Sequence, residues 1–264
     1  MTTQQTIKIN LAISPCPNDT FIFDALINHK IPTKNIEFKT FLADIESLNV
    51  AALNNTYSVT KISYAVWPKI KQHYLLLKTG SALGQGVGPL LISKNIHNCN
   101  DLAHKKVGLP GLFTTAHQLF SKFFHQKVDK IFLPFNELEP ALDKGLIDAA
   151  VIIHEGRFTY PSWGFHCLAD LGLLWEQQTN LPLPLGGIVI QNSLKYLAPT
   201  IEQLICESLA FAYKNHYHNL AQYVIEHAQE MEIQVIKKHI DLYVNQYSYD
   251  YKEDGFKAIE QLCE

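Results

Sequence analysis

A strand, a rigid loop and a helix start follow one another within the first 28 residues, and the same unit then recurs along most of the chain. Nothing else in the sequence constrains the fold as much. Ile7, Ile9, Leu11 and Ile13 alternate with other positions, the two-residue period of a half-buried strand. The strand stops at Ser14-Pro-Cys-Pro-Asn-Asp-Thr20, where two prolines fix the backbone and Asn18 or Asp19 is placed to cap a helix over residues 20–28. Residues 36–42 read as a second strand, and Asp44 stands at the cap position of a helix over 45–53 whose apolar side chains share one face. A short strand over 58–62 leads through Ser63 into a helix carrying Tyr64, Ala65 and Trp67.

Strands are expected at 73–79 and 88–93, joined by Gly80-Ser-Ala-Leu-Gly-Gln-Gly-Val-Gly88, whose glycines make it the candidate hinge or lid. A second series follows: strand 106–109, loop 110–113, helix 114–126, strand 130–133, helix 137–144 and strand 148–153. Beyond residues 170–180, Leu181-Pro-Leu-Pro-Leu-Gly-Gly187 is expected to break regular structure before a strand at 188–191. From Ser193 onward the periodicity is helical, over 201–213, 220–227, 235–244 and 256–262.

Strands that alternate with helices favour parallel sheets covered on both faces. The expected fold is therefore α/β and two-lobed, each lobe a mostly parallel sheet flanked by helices, with a ligand cleft between the lobes. Residues 1–94 plus 186–264 form the first lobe and residues 95–185 are inserted as the second, so the chain crosses twice. In such sheets ligands lie at the carboxyl ends of strands, where helix N-termini point inward.

The chain has 264 residues, 47% hydrophobic and 18% charged, enough to bury such a core. A formal net charge of −3, with Lys and Arg dispersed, lacks the basic footprint of a nucleic-acid binder. No apolar run approaches the ~20 residues that span a bilayer, so no membrane partner is expected. The opening residues show neither a basic n-region nor an apolar h-region, and the expected location is the cytoplasm. Cys16, Cys99, Cys167, Cys206 and Cys263 are scattered and include no CxxC pair, and no HExxH spacing occurs. Neither a disulfide framework nor a metal site is expected.

Three stretches carry candidate chemistry. Gly111-Leu-Phe-Thr-Thr-Ala116 places Thr114 and Thr115 at a helix start, where free N–H groups and the dipole suit an anion; equally, Thr114 serves as the cap of its own helix. Lys61-Ile-Ser63 offers a second grip, against the plainer readings of a cap and a solvated charge. Ala149-Ala-Val-Ile-Ile-His154 is a buried run that delivers a histidine to the end of a strand. A histidine there can exchange a proton near neutral pH, or simply end a strand as a hydrogen-bonded core residue. Glu155 either orients the imidazole or is an exposed charge, and Arg157 either pairs with Glu155 or meets a ligand. Cys16 has no evident base beside it and reads as a turn residue rather than a nucleophile. Trp67, Trp163 and Trp175 read as core residues or as the walls of a pocket.

Taken together, Ser14-Pro-Cys-Pro-Asn-Asp-Thr-Phe21, Thr60-Lys-Ile-Ser-Tyr64, Ser81-Ala-Leu-Gly-Gln-Gly-Val-Gly-Pro89, Ile152-Ile-His-Glu155 with Arg157-Phe-Thr-Tyr-Pro161, and Leu181-Pro-Leu-Pro-Leu-Gly186 resemble the 1,4-dihydroxy-6-naphthoate synthases of the futalosine route to menaquinone. The resemblance runs in order over nearly the whole chain. It implies a type 2 periplasmic-binding-protein-like fold and a carbon–carbon lyase acting on cyclic dehypoxanthinyl futalosine with release of dihydroxyacetone. By the family pattern His154 is the proton acceptor, and Lys61, Ile62, Ser63, Thr114 and Thr115 hold a small carboxylate substrate. No metal or cofactor is implied, and a homodimer is a compatible assembly. Gly156 stands where the family commonly has Ser. Two other readings stay open: a non-catalytic small-anion receptor of the same architecture, and the chorismate dehydratase of the same pathway.

Overall fold

The computed structural model describes residues 6–229 and 232–264. Residues 1–5, half of the opening segment read for a leader, lie outside them. The first body opens with β1 (Ile7–Ile13), α1 (Pro17–Ile27), β2 (Ile36–Leu42), α2 (Ile45–Leu53), β3 (Val59–Ser63), the short α3 (Trp67–Ile70), β4 (Tyr74–Leu76) and β5 (Ala82–Gly84). The second body follows with β6 (Leu90–Ser93), β7 (Lys106–Leu109), α4 (Thr115–Phe123), β8 (Asp129–Phe132), α5 (Phe135–Asp143), β9 (Ala149–Ile152), α6 (Gly156–Thr159), β10 (His166–Asp170) and α7 (Leu171–Thr179). Strand β11 (Leu183–Gln191) returns to the first sheet, and α8 (Ala198–His216), α9 (Gln222–His227), α10 (Ile233–Tyr243), α11 (Gln246–Tyr249) and α12 (Lys252–Cys263) close the chain.

The first sheet runs β2-β1-β3-β11-β4 with β5 also on β11, and the second runs β10-β6-β9-β7-β8. β1 pairs in parallel with β2 and β3, Ile7 opposite Ile36 and Leu11 opposite Val59. β11 is antiparallel to β3, β4 and β5, so it runs against the rest of its sheet. β6 is likewise antiparallel to β9 and β10, whereas β7 is parallel to β8 and β9. The two reversed strands are the two by which the chain changes sheets. Each sheet is thus mostly parallel in direction and mixed in pairing.

Three details depart from the sequence reading. Residues 90–93, placed with the first lobe by the boundary at 94, are hydrogen-bonded into the second sheet. The Leu-Pro-Leu-Pro-Leu-Gly-Gly run is strand from Leu183, with a register shift between Pro184 and Gly186. A proline lacks the N–H a ladder needs, and an irregularity in the pairing is where a strand tolerates it. Lastly, α1 starts at Pro17 with Cys16 at its N-cap, so Asn18 and Asp19 lie inside the first turn and cap nothing. The Asp44 cap is as expected, accepting from Ser47 N at 3.0 Å.

The largest core packs β1, β3 and β11 against α1, α8 and α10 through Leu11, Phe21, Ile188, Leu204 and Ile240. A second core gathers Val107, Leu119, Val151 and Trp175 of the inserted body together with Tyr64 and Leu262 of the first. Apolar packing therefore runs continuously from one body into the other. No helix among the described residues is long and apolar enough to cross a membrane.

Candidate active site

Between the two sheets lies a cavity lined from both, with roughly 640 Å³ of empty space when the solvent at its mouth is included. The first body lines it with Ser14, Asn18, Asp19, Ile45, Lys61, Ser63, Ala82, Gly186, His239 and Tyr243, and the second body with Pro89, Thr114, Thr115, Ala116, Ile153 and His154. Five of the six side chains singled out from the sequence meet there: Lys61, Ser63, Thr114, Thr115 and His154. Ile62 does not. Strand alternation turns it to the opposite face of β3, where it is fully buried with Val66, Ile70 and Val189.

Lys61 is not the solvated charge of the plainer reading. Its ammonium is 2.6 Å from Asp19 Oδ1 and 3.3 Å from the Gly80 carbonyl, with side chains 5% and 0% exposed. Asp19 also accepts from the Ser14 hydroxyl at 2.7 Å and from Asn18 Nδ2 at 2.8 Å. A charge pair this deep holds only when its remaining lone pairs are also satisfied, and here Ser14 and Asn18 supply the donors. Asn18 Oδ1, left as an acceptor, meets Nε2 of His239 at 2.9 Å. A single hydrogen-bonded chain thus runs from Lys61 through Asp19 and Asn18 to the buried imidazole of His239.

His154 follows β9 in a left-handed conformation, φ +58°, uncommon for a residue other than glycine. That turn swings the ring away from the strand. Phe135 meets it edge-on at 4.6 Å between centroids, and His239 lies 6.2 Å away, nearly parallel. Cys16 Sγ is 3.2 Å from Nδ1 and 3.7 Å from Nε2. The ring's remaining surface opens into the main cavity and into a smaller one lined by Phe135, Asn136, Glu139 and Trp163. Burial depresses its pKa to about 4; Asp19 works against that shift and Lys61 with it. The imidazole is therefore neutral at pH 7 and able to accept a proton.

At the other wall, Thr114 caps α4: its hydroxyl accepts from His117 N at 3.2 Å and donates to the Gly111 carbonyl at 2.9 Å. Thr115 donates to the Leu185 carbonyl at 2.8 Å. Both hydroxyls are thus engaged within the protein. What the helix start offers a ligand is chiefly backbone, since the first N–H groups of a helix have no acceptor inside it. Ser63 is held similarly, with Asn49 accepting from its N–H at 2.8 Å and donating to its hydroxyl at 3.0 Å.

Several candidates lie elsewhere. Glu155 is 2% exposed, with a carboxylate oxygen 3.9 Å from His239 Nδ1. Arg157 pairs with Asp170 at 2.7 Å and donates to the Gly88 carbonyl, and it does not line the main cavity. Trp175 is core, its Nε1 donating to the Pro182 carbonyl at 3.1 Å, and no tryptophan lines the main cavity. The glycine-rich segment contains β5 and is tied down by Gly80 N to Ser248 O and by Asn245 Nδ2 to Leu83 O. Among the described residues no group of three or more His, Cys, Asp or Glu is placed to hold a metal ion.

Sequence reasoning overlooked Asp19, Asn18, His239 and Tyr243 as cavity residues. The polar cluster directly after a buried strand was a usable signal for Asn18 and Asp19. His239 and Tyr243 sit on an amphipathic helix more than 80 residues from His154, and no local pattern marks them.

Two sheets joined by two crossing strands, with a cavity lined from both, define a periplasmic-binding-protein-like fold. The alkanesulfonate-binding protein SsuA of Xanthomonas axonopodis shares that fold at a TM-score of 0.69, with 11% identity over 91% of this chain and 86% of its own. The chain belongs to the menaquinone biosynthesis family, whose model matches residues 9–264. It is 40% identical to a 1,4-dihydroxy-6-naphthoate synthase of Streptomyces coelicolor, covering 96% of this chain and 91% of the relative. It is 37% identical to the enzyme of that name from Thermus thermophilus, covering 96% and 92%. A crystal structure of an Archaeoglobus fulgidus protein superposes at a TM-score of 0.90 with 32% identity, over 97% and 95% of the two chains.

Proposed function

We propose that this chain is a carbon–carbon lyase that converts cyclic dehypoxanthinyl futalosine to 1,4-dihydroxy-6-naphthoate with release of dihydroxyacetone. One observation carries the reading: a chain in this family over residues 9–264 has a neutral, half-buried imidazole facing a cavity lined from both bodies. His154 is the proton acceptor. Removing a carbon-bound proton beside an electron-withdrawing group opens the ring in a retro-aldol sense, the triose fragment leaves with its own proton restored, and aromatisation draws the sequence forward. A positioned base supplies ~10²–10⁴-fold of such a rate, and orientation inside the closed cleft supplies much of the remainder.

The substrate carboxylate is assigned to the start of α4, with the Thr114 and Thr115 backbone as donors. Lys61, Ile62 and Ser63 form the opposing edge, Ile62 through its backbone, and Lys61 brings a cation already oriented by Asp19. The proposed setting is the cytoplasm, with a homodimer as the assembly to be read by sedimentation.

Supplying the purified protein with cyclic dehypoxanthinyl futalosine and, separately, chorismate, and identifying products by mass spectrometry, tests the reading. Naphthoate with equimolar dihydroxyacetone is expected. Dehydrated chorismate, or binding without turnover, overturns it in favour of the sister enzyme or of a receptor.

A further inference from the structure

Four tyrosines are buried among the described residues, and three of them bond their hydroxyls within the protein. Tyr64 meets the Ser81 hydroxyl at 2.7 Å, Tyr74 donates to the Tyr57 carbonyl at 3.0 Å, and Tyr247 donates to Asp254 at 2.5 Å. Tyr243, 6% exposed, is the fourth. Among the described residues its hydroxyl has no hydrogen-bond partner, and the Ser248 hydroxyl at 3.5 Å goes to its backbone carbonyl instead. Nor is the phenolic oxygen sealed in the core as Thr79 Oγ1 is, since Tyr243 lines the main cavity. Other polar side chains of that cavity are already committed: Ser14, Asn18 and Lys61 to Asp19, Thr114 to the Gly111 carbonyl and Thr115 to the Leu185 carbonyl. Buried polar groups are nearly always hydrogen-bonded, so a phenol left without a partner at a cavity wall is placed for a group that enters the cavity.

We propose that Tyr243 is a second catalytic residue, its hydroxyl donating a hydrogen bond to the substrate carbonyl whose oxygen gains charge as His154 takes the proton. The proposal rests on the lyase reading above. A retro-aldol opening requires a carbonyl beside the carbon that loses its proton. The C–H bond breaks, an N–H bond forms on His154, and the released electron pair moves onto the carbonyl oxygen as an enolate. Tyr243 keeps its own proton throughout. Its bond to that oxygen strengthens as the charge develops, which is how a fixed donor lowers a barrier. Tyr243 stands one turn after His239 on α10, so the two rings share a face, 4.5 Å apart between centroids, and His239 lies 6.2 Å from the His154 ring in turn. Donor and base thus stand in one row of rings at the cavity, the donor on the first body and the base on the second. Burial holds the phenol protonated well above its ordinary range; Arg157 works against that shift, and Glu155 and Asp170 with it. The hydroxyl is therefore a donor at any pH at which the protein works.

Tyr243→Phe removes one oxygen and leaves the ring against His239, so its melting temperature is expected to match that of the unmodified protein. With cyclic dehypoxanthinyl futalosine as substrate, kcat is expected to fall about 10²–10³-fold, the loss that follows removal of one such donor, with KM within about threefold. An unchanged kcat overturns the proposal. A KM raised at constant kcat overturns it as well, because it marks a hydroxyl that grips ground state and transition state alike. A clear drop in melting temperature overturns the premise, since it marks a hydrogen bond that serves the fold. The unmodified protein is assayed alongside. If it makes no naphthoate, the lyase reading fails and this proposal with it, whereas naphthoate from both proteins at equal rates removes Tyr243 alone.

Discussion

At the scale of single residues, the protein's proton chemistry follows from what burial does to two imidazoles. His154 is pushed to about 4 and His239 well below the ordinary value, in both cases mainly by desolvation. The unfolded chain titrates these histidines near 6.5, so between about 4 and 6.5 it binds more protons than the fold does. Stability is therefore complete above the unfolded value and is lost as pH falls through that window. His154 alone accounts for on the order of 3 kcal/mol. Urea midpoints at pH 7.5 and 4.5 are expected to differ accordingly, and to differ less in His154→Gln, which cannot take up the proton. The same variant, like His154→Ala, should lose about 10²–10⁴-fold in kcat while substrate still binds, measured by steady-state kinetics and calorimetry. For the Asp19–Lys61 pair, removing one partner leaves a charge uncompensated in the core. Lys61→Met alone should cost about 3–5 kcal/mol of stability by denaturant unfolding, and a double change with Asp19→Leu should cost less than the single one.

At the scale of elements, two junctions set the cleft. Thr114 caps α4, and Thr114→Val should cost about 1 kcal/mol of stability through loss of that cap, with only a small change in KM because the backbone N–H groups remain. Ahead of β6, Gly88 lies against Gly172 at the head of α7, and a Cβ on Gly88 falls 2.2 Å from the Gly172 Cα. Backbone faces backbone there, with no flexible side chain to yield. Gly88→Ala should therefore force the strand and helix apart and lower the melting temperature by several degrees, as about 2 kcal/mol does in a chain this long.

At the scale of the whole molecule, the two bodies are stitched at places the cleft depends on. Glu46 of α2 accepts from Phe113 N at 3.0 and 3.1 Å, just ahead of α4 in the other body, and Gln118 of α4 donates to the Leu262 carbonyl of α12 at 2.6 Å. Burial raises the Glu46 carboxyl above the usual range while the Phe113 N–H pulls it back down. Glu46→Ala should loosen this closure. The expected result is a KM raised about tenfold with kcat less affected, and a larger radius of gyration for the free protein by X-ray scattering.

Much of this was readable along the chain. The βα alternation specified strands at 7–13, 36–42 and 106–109 and the helix at 45–53 with its Asp44 cap, because side-chain period and capping are local properties. His154 was findable because a fully apolar strand can end in few places other than a cleft. The register of β11 was not: its prolines and glycines read as breakers until pairing with β3 and β5 absorbed them in an irregular ladder. Nor could the sequence show that residues 90–93 join the second sheet, since strand partners are chosen by long-range hydrogen bonding. Local sequence pattern specified most of the strand ends and helix starts that line the cavity, and the family to which the chain belongs. That Asp19 and His239, 220 positions apart, line one cavity with His154 was settled by the packing of the two bodies, because those contacts exist only once two sheets are held face to face.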